Sequence, residues 1–342
     1  EGLNKQKLLV LADLNHWRME YQGTEKNMTS GCWDEAINDL IRLSANLDFD
    51  IDTVRGRGAW RDGDKISYHD GLETYGEPNP DMTYIRLPRR DIGINDTPAD
   101  ADLVRSIKDV VLGLSFATLS DAVRTLGWAA LAPFAGALKY RPSIMITGPS
   151  GSGKSTVQEV ILKNLSDFIW CDTKATSTAG IRSRIGRDST CVFFEEADKS
   201  TDKMKLNVDD ILAFARSNYT SNSPDGFKGT KDGGWVNYKM NSMFGIASIN
   251  PMIEEIADEN RIFRVNMVKP SGLTATNWKE NEKKLFTLLS NKNCRAVRAL
   301  TWNKLKTIFE LTDRTVDMIR DRTGRDYRSS YADALLASAF IV

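Results

Sequence analysis

Residues 148–155 read GPSGSGKS, the pattern G-x-x-x-x-G-K followed by Ser or Thr, with the apolar run SIMIT (143–147) before it and VQEVILKNL (157–165) after it. Strand, glycine loop and helix in that order are the context a phosphate-binding loop requires. Gly151 and Gly153 let the backbone curl with positive φ, so that successive N–H groups converge on a concave nest for anionic oxygens. The helix that follows adds its N-terminal partial charge. Gly148, Pro149, Ser150, Gly151, Ser152, Gly153, Lys154, Ser155 and Thr156 are therefore the candidate nucleotide cradle. Lys154 is expected to reach the β- and γ-phosphates and Ser155 to place its hydroxyl on a metal, which makes ATP and Mg2+ the implied cofactors.

The apolar runs SIMIT, DFIWC, TCVFF and SMFGIASI alternate with helical or irregular stretches. That alternation predicts an α/β fold, a mainly parallel sheet with helices on both faces, over 141–270. Upstream, LLVLADLNHWRMEY and WDEAINDLIRLSANL carry helical periodicity, with Ser30 as a candidate N-cap. GRGAW, RDGDK and ISYHDG read as a hairpin turning at Asp62-Gly63, and TYIRL (83–87) reads as another strand. The turn-rich PRRDIGINDTP (88–98) reads as a linker. Four regions are expected: a mixed α+β region with a β-hairpin (1–98), a helical collar (99–140), the core (141–270) and a helical C-terminal region (271–342).

Lys plus Arg number 46 and Asp plus Glu 46, so no global field recruits nucleic acid or membrane, and any such contact must come from local basic segments. Cys32, Cys171, Cys191 and Cys294 show no metal or disulfide spacing, which fits a reducing cytoplasm. His16 and His69 are too scattered for a metal or acid–base site. There is no membrane-spanning run and no signal peptide. Both ends read as cut from something longer.

In TCVFFEEAD an apolar strand ends in Glu195-Glu196. A carboxylate pair beside a phosphate loop can divide two tasks: Glu195 holding the metal's water shell and Glu196 polarising the attacking water. A solvated acidic strand end is the alternative. The next apolar run ends in Asn250, which could bond the attacking water or the γ-phosphate, or could simply turn the chain before Pro251. ADENRIFRVNMV follows with Arg261 and Arg264. An arginine reaching a neighbouring subunit's nucleotide would stabilise the transferred phosphoryl group. Arg261 is the better exposed candidate, and Arg264 reads as a structural partner.

This succession of phosphate loop, acidic strand, Asn-tipped strand and arginine resembles AAA+ ATPases, and its compact spacing is similar to the superfamily 3 helicases of viruses and mobile elements. GALKYRPSIMITGPSGSGKST, TSTAGIRSRIGRDSTCVFFEEAD and NYKMNSMFGIASIN resemble the helicase part of phage and prophage primase–helicase proteins. RGRGAWRDGDKISYHDG (55–71) resembles the β segment that precedes it there. The likeness covers most of residues 15–270. Two departures stand out: Glu195-Glu196 replaces the usual Asp-Glu, and no primase signature is present.

The resemblance implies a ring, a homo-hexamer with ATP between subunits, working on single-stranded DNA or a forked duplex in a bacterial host's cytoplasm, with a primase domain upstream. It also implies that the hairpin GFKGTKDGGWVNYKM (226–240), turning at Asp232-Gly233-Gly234, lines the channel with Lys231, Lys228 and Lys239 on phosphates. Trp235 and Tyr238 would stack on bases or pack beneath the hairpin. Lys174 belongs to a second channel loop or to an ordinary connection. Residues 279–328 hold 13 Lys/Arg against 7 Asp/Glu, a solvated basic face or a further DNA contact. Arg55, Arg57 and Lys65 on the upstream hairpin serve nucleic acid or packing. The competing readings are an AAA+ protein remodeller or loader, a nucleic-acid-sensing switch, and a small-metabolite kinase that needs Arg261 in cis.

Overall fold

The computed structural model describes Leu8 and residues 14–21, 30–44, 50–173, 175–195, 202–220, 226–229, 235–238, 240–248, 260–271 and 273–342. The chain divides into two compact units, Glu1–Thr53 with Phe227–Asn237, and Val54–Gly226 with Tyr238–Val342. In the first, helices α1 (Leu14–Tyr21) and α2 (Ser30–Ser44) bury Trp17, Trp33 and Ala36 around Leu8, whose carbonyl accepts the Trp17 indole N–H at 2.9 Å.

The second unit begins with β1 (Val54–Arg55) and an antiparallel sheet of β2 (Gly58–Asp62), β3 (Lys65–His69) and β4 (Thr74–Gly76). Of TYIRL only β5 (Thr83–Tyr84) is strand, pairing parallel with β1. The hairpin cations are committed to packing. Arg55 pairs with Asp62 at 2.6 Å and lies over Trp60, and Arg57 pairs with Asp188 at 2.6 Å, while Lys65 is exposed. Arg55 and Arg57 thus take part in packing.

Residues 88–98 are no linker. Ile92 and Ile94 are buried in the main core, and the polar residues around them are tied down. Arg90 donates to the Asp167 carbonyl at 2.6 Å and to Thr190 at 2.7 Å, Asp91 and Asp96 grip Arg295, and Arg298 donates to the Ile92 carbonyl at 2.7 Å. The boundaries expected at 98, 140 and 270 consequently separate no bodies. One core runs across all three, and the division falls at Thr53.

Helix α3 (Ala101–Leu112) starts at an Asp100 cap, and α4 (Leu119–Leu131) at a Thr118–Asp121 capping box. The remaining elements are β6 (Ser143–Thr147), a helix α5 over 154–166, β7 (Ile169–Asp172), α6 (Thr178–Ile185), β8 (Cys191–Glu195), α7 (Asp202–Ser217), β9 (Gly226–Gly229), β10 (Trp235–Tyr238), β11 (Met243–Ser248), β12 (Ile262–Asn266), α8 (Leu273–Leu288), α9 (Asn291–Thr323) and α10 (Tyr327–Ile341). β9 pairs with β10.

The main sheet is parallel, in the order β12-β6-β11-β8-β7. Its strands are apolar on both sides because both faces are covered. Ile144, Ile146, Phe193 and Val265 face α4, α5, α9 and α10, while the alternate residues Met145, Val192, Phe194 and Phe244 face α6 and α7. Just before β6, Arg141 is 2% exposed. It donates to the carbonyls of Ala135 (3.0 Å), Asn218 (3.2 Å) and Thr220 (2.9 Å) and to the Asn241 side-chain oxygen (2.5 Å).

Candidate functional site

Strand β6 runs directly into the glycine loop. Gly148, Gly151 and Gly153 take φ of 156°, 77° and 90°, values that side chains oppose. A Cβ on Gly148 would press on the Met267 carbonyl, and one on Gly153 would run into the Trp278 ring. Two main-chain bonds shape the loop, Ser152 N–H to Pro149 O at 3.2 Å and Val157 N–H to Gly153 O at 3.1 Å. The Lys154 ammonium donates to the Gly148 carbonyl across the loop. Ser152 is 1% exposed, and its hydroxyl has no hydrogen-bond partner among the described residues. A buried polar oxygen without a partner, in a cradle that extra carbons would fill, suits a chain of anionic oxygens.

The loop residues 149–156 line a cavity of about 390 Å³ together with Gln158, Glu195, Ala247, Ser248 and Trp278. Glu195 closes β8, half-buried, its carbonyl held by the Thr173 hydroxyl at 2.5 Å. β11 lies between β8 and β6, which sets the acidic strand end one strand away from the loop strand. Ser155 and Glu195 thus face one cavity. Mg2+ takes few protein oxygens and keeps most of its waters, so this pair is a sufficient donor set. Among the described residues no group of three or more His, Cys, Asp or Glu forms a metal cluster.

The helix after the loop differs from an ordinary α-helix. Residues 157–162 have wide π-type turns between α-helical ends, and buried Gln158 is carried into the cavity wall. Helix α8 supplies two residues that the sequence analysis did not select. Trp278 lines the cavity against Gly153, and Glu282 accepts the Thr156 hydroxyl at 3.0 Å. The available signal was one aromatic residue inside the polar run ATNWKENEKK.

Arg261 is not at this cavity. Ile262 is in register with Ser143 and Asn266 with Thr147, so Arg261 lies at the end of the sheet opposite the loop. Its carbonyl accepts the Ser143 N–H at 3.1 Å and its guanidinium lies 6.0 Å from the Tyr219 ring. Arg264, opposite Met145, lines a separate cleft with Arg124 and Arg325. Lys228 is on β9 and Trp235 and Tyr238 on β10. Glu196, Asn250, Lys174, Lys231 and Lys239 lie outside the described residues. Buried His69 bonds the Ile85 carbonyl at 2.8 Å, and the four cysteines form no disulfide among the described residues.

No known protein family's sequence model matches the chain, and no curated protein is detectably similar to it. Among solved structures it resembles the active helicase Cch of SCCmec type IV, with a TM-score of 0.53 and 12% identity, over 92% of this chain and 60% of that one. The chain therefore spans about 60% of that helicase's length, and the likeness is one of fold. The apo A form of the NrS-1 C-terminal region aligns at a TM-score of 0.39 and 14% identity, over 86% of this chain and 72% of that one. No helix among the described residues is long and apolar enough to cross a membrane.

Proposed function

We propose that this chain is the motor portion of a ring-forming AAA+ ATPase, a superfamily 3-type helicase that moves along single-stranded DNA and opens the duplex ahead during phage or mobile-element replication. The observation that carries the reading is the shared cavity of the glycine loop and Glu195, with the acidic strand one strand removed from the loop strand and Arg261 at the far end of the sheet. The fold shared with an active helicase supports it.

In this reading the loop N–H groups and Lys154 bind the phosphates of ATP, and Ser155 and Glu195 hold Mg2+. The metal, when bound, neutralises charge on the transferred phosphoryl group. Lys154 exchanges the Gly148 carbonyl for phosphate oxygens. Glu196 orients and deprotonates the attacking water, and Asn250 bonds that water or the γ-phosphate. Arg261 lies at the end of the sheet opposite its own loop, and in this reading it acts on a neighbour's nucleotide across a subunit interface. That position also argues against a kinase needing Arg261 in cis. Lys231, Lys228 and Lys239 track the strand backbone, and six copies gather their charge in one channel, which reconciles DNA binding with zero net charge. The partners are then five further copies, single-stranded DNA or a fork, and an upstream primase domain, in the cytoplasm of a bacterial host.

The test is ATP turnover with and without single-stranded DNA, with Lys154→Ala as the blank and Lys231→Ala as the probe. Stimulation of about threefold or more that Lys231→Ala removes is the expected result. Turnover indifferent to DNA, but raised by a protein partner, would sink the helicase reading in favour of a remodeller.

A further inference from the structure

Helix α8 turns one face toward the phosphate loop, and the two residues it presents are four apart, as a single helical face requires. Glu282 takes the Thr156 hydroxyl, and Trp278, half-buried, lies against Gly153 with its ring in the cavity wall. The helix is firmly seated, since Leu285 and Leu289 beyond it are buried in the main core.

The cavity has a direction. Glu195 is on β8, to one side of the loop strand β6. α8 is on the other side. It packs on α3, and the segment after α3 runs beside the end of β12, with Ala117 N–H on Asn266 O at 2.8 Å and Val268 N–H on Ser115 O at 2.9 Å. A triphosphate laid with its γ end toward Glu195 and Ser155 therefore carries its nucleoside toward α8. The large apolar surface waiting there is the Trp278 indole. A flat, partly exposed aromatic ring in the cavity wall matches the face of a nucleobase, and stacking is the interaction by which indoles hold bases.

From this juxtaposition we infer that Trp278 is the platform for the purine base, making the site select a nucleoside triphosphate over bare polyphosphate. The inference rests on the nucleotide reading above and adds the residue that reads the base. A purely structural Trp278, propping the loop through Gly153, would instead weaken every phosphate ligand equally.

The two roles separate by calorimetric titration of the full chain with Mg2+ and either ATP or inorganic tripolyphosphate. Trp278→Ala should weaken ATP about ten- to a hundredfold and leave tripolyphosphate within about twofold, and Trp278→Phe should retain most ATP affinity. ATP, but not tripolyphosphate, should also quench a component of the indole fluorescence that Trp278→Phe lacks. Equal losses for both ligands, or no loss for either, overturn the inference. Lys154→Ala must weaken both ligands. If the unaltered chain binds neither, the nucleotide reading itself fails and takes the base platform with it. If it binds both alike and Trp278→Ala changes nothing, only the base platform falls.

Discussion

Strand β6 has a cation near each end, and both are bonded to carbonyl oxygens. At the loop end Lys154 donates to Gly148, and at the other end Arg141 donates to Ala135, Asn218, Thr220 and the Asn241 amide. The chemistry of the bonds is the same, yet the consequences differ. Lys154 is half-buried beside a cavity of about 390 Å³, so a phosphate can replace the carbonyl it holds. Arg141 is 2% exposed, and its planar fork is occupied from several directions by groups that belong to three chain segments. Burial draws its pKa down to about 10, which leaves it charged at neutral pH. A cation held by neutral carbonyls is a switch where solvent reaches it and a staple where it does not.

Arg141 has a further consequence through its partners. Thr220 and Asn241, from two separate stretches of the chain, are both tied through it to the start of β6. In the proposed reading the loop end of the sheet exchanges ligands, while the opposite end holds backbone still.

Two substitutions set these ends against each other. Lys154→Ala should lower ATP turnover by about 100-fold or more, since it removes the mobile charge that stabilises the phosphoryl group, while the thermal midpoint stays within about 2 °C. Arg141→Met should do the reverse. It leaves several carbonyls without donors at about 1–3 kcal/mol each before relaxation, and the midpoint should fall by roughly 5–10 °C. Turnover assays and scanning calorimetry on the two variants check the contrast. If Arg141→Met melts with the parent chain, the staple is no staple, and the distinction between the two ends collapses.

The same contrast explains what could be read from sequence. The glycine loop was legible because its pattern occupies nine consecutive residues, and the positive φ of Gly148, Gly151 and Gly153 follows from that pattern. The sheet was legible because strands covered on both faces must be continuously apolar, as Ile144–Ile146 and Val192–Phe194 are. Residues 88–98 were misread because Arg90, Asp91 and Asp96 look solvated until their partners are known. Arg298 meets Ile92 from 206 positions away, and no local pattern carries that pairing. Trp278 and Glu282 escaped for the same reason: a helix that reads as a polar surface becomes the wall of a site only once α8 is folded back onto the loop.

Glu282 supplies the smallest effect and the sharpest test of how that wall works. Its carboxylate holds the Thr156 hydroxyl at 3.0 Å, inside the cradle proposed for polyphosphate. A negative charge there opposes an anionic ligand through Coulomb repulsion that nearby solvent screens but does not abolish. Glu282→Gln keeps an acceptor for Thr156 and removes the charge, so ATP should bind about two- to fivefold more tightly at low salt. The gain should shrink as ionic strength rises. A titration series across salt concentrations measures it. If Glu282→Gln instead weakens ATP, and only with Mg2+ present, the carboxylate bonds the metal's water shell, and α8 belongs to the catalytic end of the cavity as well as to the base end.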